Sequence, residues 1–415
     1  MSPFESLDPR FNRLINGSVR LETLYTGCRW AEGRAYFQAS RSLIWSDIPN
    51  NRLMRYDSCD GHVSVFRQPA NNTNGNTVDR QGRLISAEHL GRRITRTEHD
   101  GSITVLADRY QGKRFNSPND VVVKSDGTIW FTDPTYGIDA DYEGECAQSE
   151  IGASYVYRLD PQSGALTAVA TDFVKPNGLA FSPDETKLYI ADTGASHVEN
   201  GPRHIRLFDV AADNSLSGGA VFANSTAGFF DGFRFDEHGH LWTSAGDGVH
   251  CYHPDGTLIG KIKVPEIVAN VCFGEPYRNR LFICGTTSLY ACYLQIRGAK
   301  PIEHESSAIS EHRQGFEEKV LRAEIARFQR QSDGLAVGCA CPWHAGIDFG
   351  ADFQHRNTKP LHNGPRRLAA RNHKAAHPCV KQMTGNIGQQ MFDQRAGPLT
   401  PQPLLHLFDG LRCSR

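Results

Sequence analysis

The chain has 415 residues, with 45 basic and 46 acidic side chains and a net charge of −1. This balance leaves no field to recruit nucleic acid or an anionic membrane, and no apolar run approaches the roughly 20 residues that span a bilayer. The opening Met1-Ser-Pro-Phe-Glu-Ser-Leu-Asp8 lacks a basic leader and an apolar core, and the eleven cysteines are scattered without a paired framework, so reduced thiols in a cytoplasmic protein are expected.

In chain order, one short apolar strand recurs six times: Leu43-Ile-Trp-Ser-Asp47, Leu84-Ile-Ser-Ala-Glu88, Ile129-Trp-Phe-Thr-Asp133, Leu188-Tyr-Ile-Ala-Asp192, Leu241-Trp-Thr-Ser-Ala245 and Leu281-Phe-Ile-Cys-Gly285. The starts are 41, 45, 59, 53 and 40 residues apart, and four copies follow a turn of the Asp-x-x-Gly or Pro-Asp-Glu type. Between them lie further strand patterns, Val63–Phe66, Ile103–Leu106, Tyr155–Leu159, Ile205–Phe208 and Val249–Tyr252. No window before residue 299 has a helical period. A strand-and-turn repeat of this length suits one four-stranded propeller blade, and six blades of roughly 45 residues fill about 270 residues. The expected fold is therefore all-β, a six-bladed β-propeller over residues 1–299. Trp45, Trp130 and Trp242 hold one place in their repeats, which assigns them to blade packing.

After Lys300 the character changes. Eight of the 17 histidines fall there, with many Arg, Gln and Pro residues and no repeat. Residues 311–330 read as a short helix, and Cys339, Cys341, His344, His377 and Cys379 match no zinc spacing. Residues 300–415 are expected to be a disordered extension unrelated to the propeller, or out-of-frame or read-through sequence.

Four polar residues stand where strands should meet the channel. They are Glu32 in Trp30-Ala-Glu-Gly33, Asn119 in Ser117-Pro-Asn-Asp120, Asn177 in Lys175-Pro-Asn-Gly178 and Asp231 in Phe229-Phe-Asp-Gly232. Taken singly, each is an ordinary turn residue. Together, in register before inner strands, they form an oxygen-only set of the kind calcium or magnesium prefers.

These motifs, with Asp79-Arg-Gln-Gly82, Glu88-His89 and Phe131-Thr-Asp-Pro-Thr-Tyr-Gly137, make residues 15–299 resemble the SMP-30/gluconolactonase/regucalcin-like family, its microbial gluconolactonase branch in particular. The resemblance implies one divalent cation at the channel mouth, calcium first, with zinc, manganese or magnesium as alternatives. It implies Glu32, Asn177 and Asp231 as metal ligands and Asp231 as the general base. It further implies that Asn119, Asp133, Tyr136 and His89 contact substrate. Arg34 stands where the family usually has proline, and Ser117 where animal members carry a substrate-binding arginine. The implied activity is hydrolysis of a sugar-acid lactone to the aldonic acid, by a monomer or homodimer acting on a small molecule without nucleic acid or membrane. The alternatives are a calcium-dependent esterase of the paraoxonase kind, a non-catalytic calcium-binding propeller and, more weakly, strictosidine-synthase-like chemistry.

Overall fold

Each of the six sequence repeats supplies the second strand of an antiparallel sheet, flanked by an inner strand before it and a third strand after it. The computed structural model describes residues 2–300. The extension expected beyond Lys300, the 311–330 helix and the cysteine and histidine group lie outside the described residues.

Blade I runs Ala31–Phe37, Ser42–Asp47, Arg52–Asp57 and Val63–Arg67 from the channel outward, and blade II runs Thr73–Val78, Leu84–Glu88, Arg93–Thr97 and Ile103–Ala107. Blade III holds Val121–Val123, Ile129–Asp133, Ser154–Leu159 and Leu166–Phe173. Blade IV holds Pro176–Phe181, Lys187–Asp192, His204–Val210 and Leu216–Asn224. Blade V holds Phe233–Phe235, Leu241–Ala245, Gly248–Tyr252 and Leu258–Lys263. Blade VI contributes Val268–Gly274, Arg280–Gly285 and Ser288–Tyr293, and its outermost strand is Glu22–Thr26 from the start of the chain. The inner strands contact one another in the order I to VI and back to I, which closes the six-bladed β-propeller.

The second strands are buried from end to end in most blades, and their side chains fill the layers between blades. Trp45, Trp130 and Trp242 are fully buried, and each indole N–H has a partner: Cys28 Sγ at 3.5 Å, Thr128 Oγ1 at 2.9 Å and Asp236 Oδ2 at 2.9 Å. The acidic residues ending several repeats act as staples. Asp47, Asp133 and Asp192 accept hydrogen bonds at 2.9 Å from the backbone N–H groups of Arg29, Asn116 and Lys175, on the loops that lead into the inner strands of their own blades.

The N-terminal segment adds two features. Phe4–Ser6 extends blade V as a fifth strand against Leu258–Lys263, and a 3-10 turn over Pro9–Arg13, capped by Asp8, buries Phe11 against Trp242. Truncating Phe11→Ala should lower stability by about 3–5 kcal/mol. The check is the urea midpoint of the variant beside that of the parent chain.

Candidate active site at the channel mouth

A bulge near the start of the inner strands shapes the site. In blades I, II and IV the first residue pairs with the acidic end of the second strand, Ala31 with Asp47, Thr73 with Glu88 and Pro176 with Asp192. The register then slips before pairing resumes. A bulge breaks strand alternation and re-aims a side chain. By this register Glu32, Asn74 and Asn177 are equivalent. Blades III and V follow the same plan, with Asn119 and Asp231 lying two residues ahead of their strands. Hydrogen bonds between neighbours extend the equivalence to blade VI: Gly75 N–H donates to the Asn119 carbonyl at 2.7 Å, and Gly232 N–H to the Ala269 carbonyl at 2.8 Å. One ring thus holds Glu32, Asn74, Asn119, Asn177, Asp231 and Ala269, and all four residues singled out in the sequence belong to it.

The next residue in each blade is Gly33, Gly75, Asp120, Gly178, Gly232 or Asn270. A Cβ at Gly33 would overlap the Asn74 carbonyl, and one at Gly178 the Asp231 carbonyl, so these inner strands touch backbone to backbone. Where a side chain does occur it serves the site. Asn270 Nδ2 donates to Glu32 Oε2 at 2.7 Å, while Asp120 Oδ1 accepts from Val121 N–H at 2.9 Å and leaves Oδ2 buried without a partner.

The channel end is therefore crowded with negative charge. Burial first, opposed by the Asn270 amide and joined by the charge of Asp120, raises the Glu32 carboxyl above its ordinary value. Asp231 is pushed well above its range by burial and then by Glu32, Asp120 and Glu143. Glu143, on the loop of blade III that faces this cluster, is pushed up to about 7 by burial and by the charges of Glu32 and Asp139. Two arginines provide the opposing charge. Arg34 is buried with Nη1 unpartnered and its Nε donating to the Val271 carbonyl, and burial together with Arg34 brings Arg234 down to about 10.

Asn177 Oδ1 is buried with no hydrogen-bond partner, and its Nδ2 reaches Thr193 Oγ1 at 3.4 Å. An unfilled amide oxygen beside mutually repelling carboxylates is a donor set that fits a hard cation. Among the described residues no three His, Cys, Asp or Glu side chains form a metal cluster, so such a site would use amide oxygen together with the two acids.

The remaining expected contacts divide. Tyr136 belongs to the mouth: its hydroxyl bonds Thr193 Oγ1 at 2.6 Å and Ser196 Oγ at 2.9 Å, and Lys175 Nζ lies 4.5 Å from its ring centroid. His89 is fully buried between Glu143, whose carbonyl lies 3.2 Å from Nδ1, and Asn74, whose Nδ2 lies 3.4 Å from Nε2. A carbonyl can only accept, so Nδ1 carries the proton and Nε2 receives the Asn74 amide. Asp133 spends one oxygen on Asn116 N–H, and burial pushes its carboxyl up to about 7 with Oδ1 unpartnered. Sequence reasoning missed Asn74, Asp120, Glu143, Arg234 and Asn270. The dipeptide rhythm Asn74-Gly75, Asn119-Asp120 and Asn177-Gly178 was the available signal for the first two.

The fold is a six-bladed propeller that gathers a ring of carboxylate and amide oxygens at one channel end. Residues 30–287 match the SMP-30/Gluconolactonase/LRE-like region, and the chain belongs to that family. A gluconolactonase of Zymomonas mobilis is 30% identical over 291 residues, covering 64% of this chain and 79% of its own length. The pentonolactonase XacC of Haloferax volcanii is 30% identical over 272 residues, 62% of this chain and 82% of its own. The solved structure of the gluconolactonase XC5397 from Xanthomonas campestris superposes with a TM-score of 0.66 at 40% identity, covering 70% of this chain and 94% of that one.

Burial lowers His89 to about 4. The unfolded chain, with an ordinary value of about 6.5, takes up a proton that the folded site refuses, so this group costs stability as pH falls from about 6.5 toward 4. The His89 ring should stay neutral between pH 8 and 5.5 in an NMR titration. Between pH 7 and 5 the parent chain should lose more stability than His89→Gln.

Proposed function

We propose that the protein hydrolyses a sugar-acid lactone to the open aldonic acid at this channel mouth. The observation that carries the reading is the convergence of Glu32, Asn177 and Asp231 on one ring, with Asn177 Oδ1 unfilled. The lactone-hydrolysing relatives support it. Glu32, Asn177 and Asp231 would hold a divalent cation, calcium first. When bound, that cation supplies Lewis-acid polarisation of the lactone carbonyl and acidifies water.

The chain's own groups do the rest. Asp231 is half-buried, with its backbone N–H fixed by Ser244 Oγ at 2.8 Å. Its carboxylate accepts the proton of the attacking water as the new C–O bond forms. The ring ester bond breaks, the former ring oxygen takes the proton back from Asp231 and leaves as a hydroxyl, and the new carboxylic acid releases one proton at neutral pH. Asn119 and Tyr136 suit hydroxyl recognition. The neutral His89 orients the Asn74 amide through Nε2 and gives its one proton to the Glu143 carbonyl, so it is a positioning group and no acid. Asn270 holds Glu32 in place.

Acid release from glucono-1,5-lactone in a pH-stat tests the reading. Activity should vanish with EDTA and return with calcium, and Asp231→Asn should lower kcat by roughly 10²–10⁴. Asn177→Ala should weaken calcium binding in calorimetry while leaving the fold intact. Full turnover by Asp231→Asn, or acid release indifferent to EDTA, would remove the corresponding part of the proposal.

A further inference from the structure

Between blades II and III lies a cavity of about 210 Å³. His89, Arg92, Arg114 and Glu145 are in its wall. No member of the proposed metal set lines it.

Arg92 is the buried cation of this wall. It is 7% exposed, its Nε donates to the Phe115 carbonyl at 2.6 Å, and its Nη1 lies 3.9 Å from Glu150 Oε1. Nη2 is buried with no partner. An ionised guanidinium taken out of water with a donor unfilled is costly unless a ligand completes it. The backbone adds to that cost: Arg92 sits at φ 51, the left-handed region, where the corresponding turn of blade I carries Asn51 at φ 52. Asparagine tolerates that conformation readily, so the long basic side chain is held there against local preference.

The carboxylates of Glu150 and Asp133 offset part of the charge of Arg92, and Nη2 still has no partner. Burial first and then the charge of Arg114 hold Arg92 below its ordinary value. Glu150 is engaged with the Arg114 backbone N–H at 2.9 Å, and Glu145 is exposed to solvent. Two guanidiniums facing one cavity, one with a free in-plane donor, match the fork geometry that recognises planar or tetrahedral oxyanions.

We propose that this cavity is an oxyanion-binding site, in which a carboxylate, sulfonate or phosphate group is held by Arg92 Nη2 and the Arg114 guanidinium. The anion comes either from the distal end of a substrate or from a free anion in solution, and the two sources are separable.

Inorganic sulfate titrated into the full-length protein at low ionic strength, followed by calorimetry, is the direct test. Saturable binding at one site is expected, weakened roughly tenfold to a hundredfold in Arg92→Gln and in Arg114→Gln. Circular dichroism and the urea midpoint report whether each variant is folded. Absence of saturable binding, or equal binding by parent and both folded variants, overturns the proposal, the latter marking an adventitious ion only. Kinetics then assign the source. A substrate-borne anion predicts that Arg92→Gln raises KM for a lactone bearing a terminal carboxylate and leaves KM for the uncharged lactone unchanged. A free anion predicts equal KM values for both lactones in parent and variant. A chain that binds sulfate through Arg92 yet opens no lactone would refute the hydrolase reading alone.

Discussion

The channel end depends on how closely neighbouring inner strands approach. Gly33 and Gly178 lie where any side chain would strike the next blade's carbonyl, and Gly75 and Gly232 are equally closed. This contact fixes the height at which each strand bulges. The bulge in turn fixes which residue faces the channel. The ring residues are held to a common level because, at Gly33, Gly75 and Gly178, backbone packed on backbone sets the spacing. A methyl group added at one of these glycines would shift two ring members at once.

The same closeness creates the electrostatic problem. The charges of Glu32, Asp120 and Glu143 raise the cost of ionising Asp231, Asp120 does the same to Glu32, and Glu32 to Glu143. Arg34 and Arg234 offset part of that charge from within the ring of inner strands. Arg34 occupies the bulge of blade I, and its guanidinium reaches the backbone of blades VI and V through Val271 and Phe233. A family position usually given to proline is here used to bring positive charge beneath the acids. That arrangement lets the carboxylates coexist in the folded chain, and it tempers the attraction they offer a cation.

Much of this was legible in the sequence because a propeller repeats its local rules. The six strand copies, their turns and the three tryptophans follow from periodicity, and the four ring residues share a short context of Pro, Asn, Asp and Gly. Other parts follow no local rule. Glu22–Thr26 completes blade VI, but its partner Ser288–Tyr293 lies at the other end of the repeat array, and nothing within five residues announces the pairing. Asp120 and Asn270 occupy positions that are glycine in the other blades, so a search for the common pattern passes over them. Glu143 comes from a loop within blade III that has no counterpart in the repeat. The resemblance implied a substrate contact for Asp133 alone of the acidic repeat ends, and Asp47, Asp133 and Asp192 each point one oxygen at a backbone N–H of the preceding loop.

Ring closure by Glu22–Thr26 also has a consequence for how the chain is made. These residues leave the ribosome long before Ser288–Tyr293 exists, so the first strand of the ring must wait for its last. Until the two pair, Ser288–Tyr293 has no partner along its outer edge. The loop that finally closes is long, and its entropic cost grows only logarithmically with length, reaching about 5 kcal/mol. That pairing joins the two ends of the repeat array, so one outer strand holds the ring of blades shut.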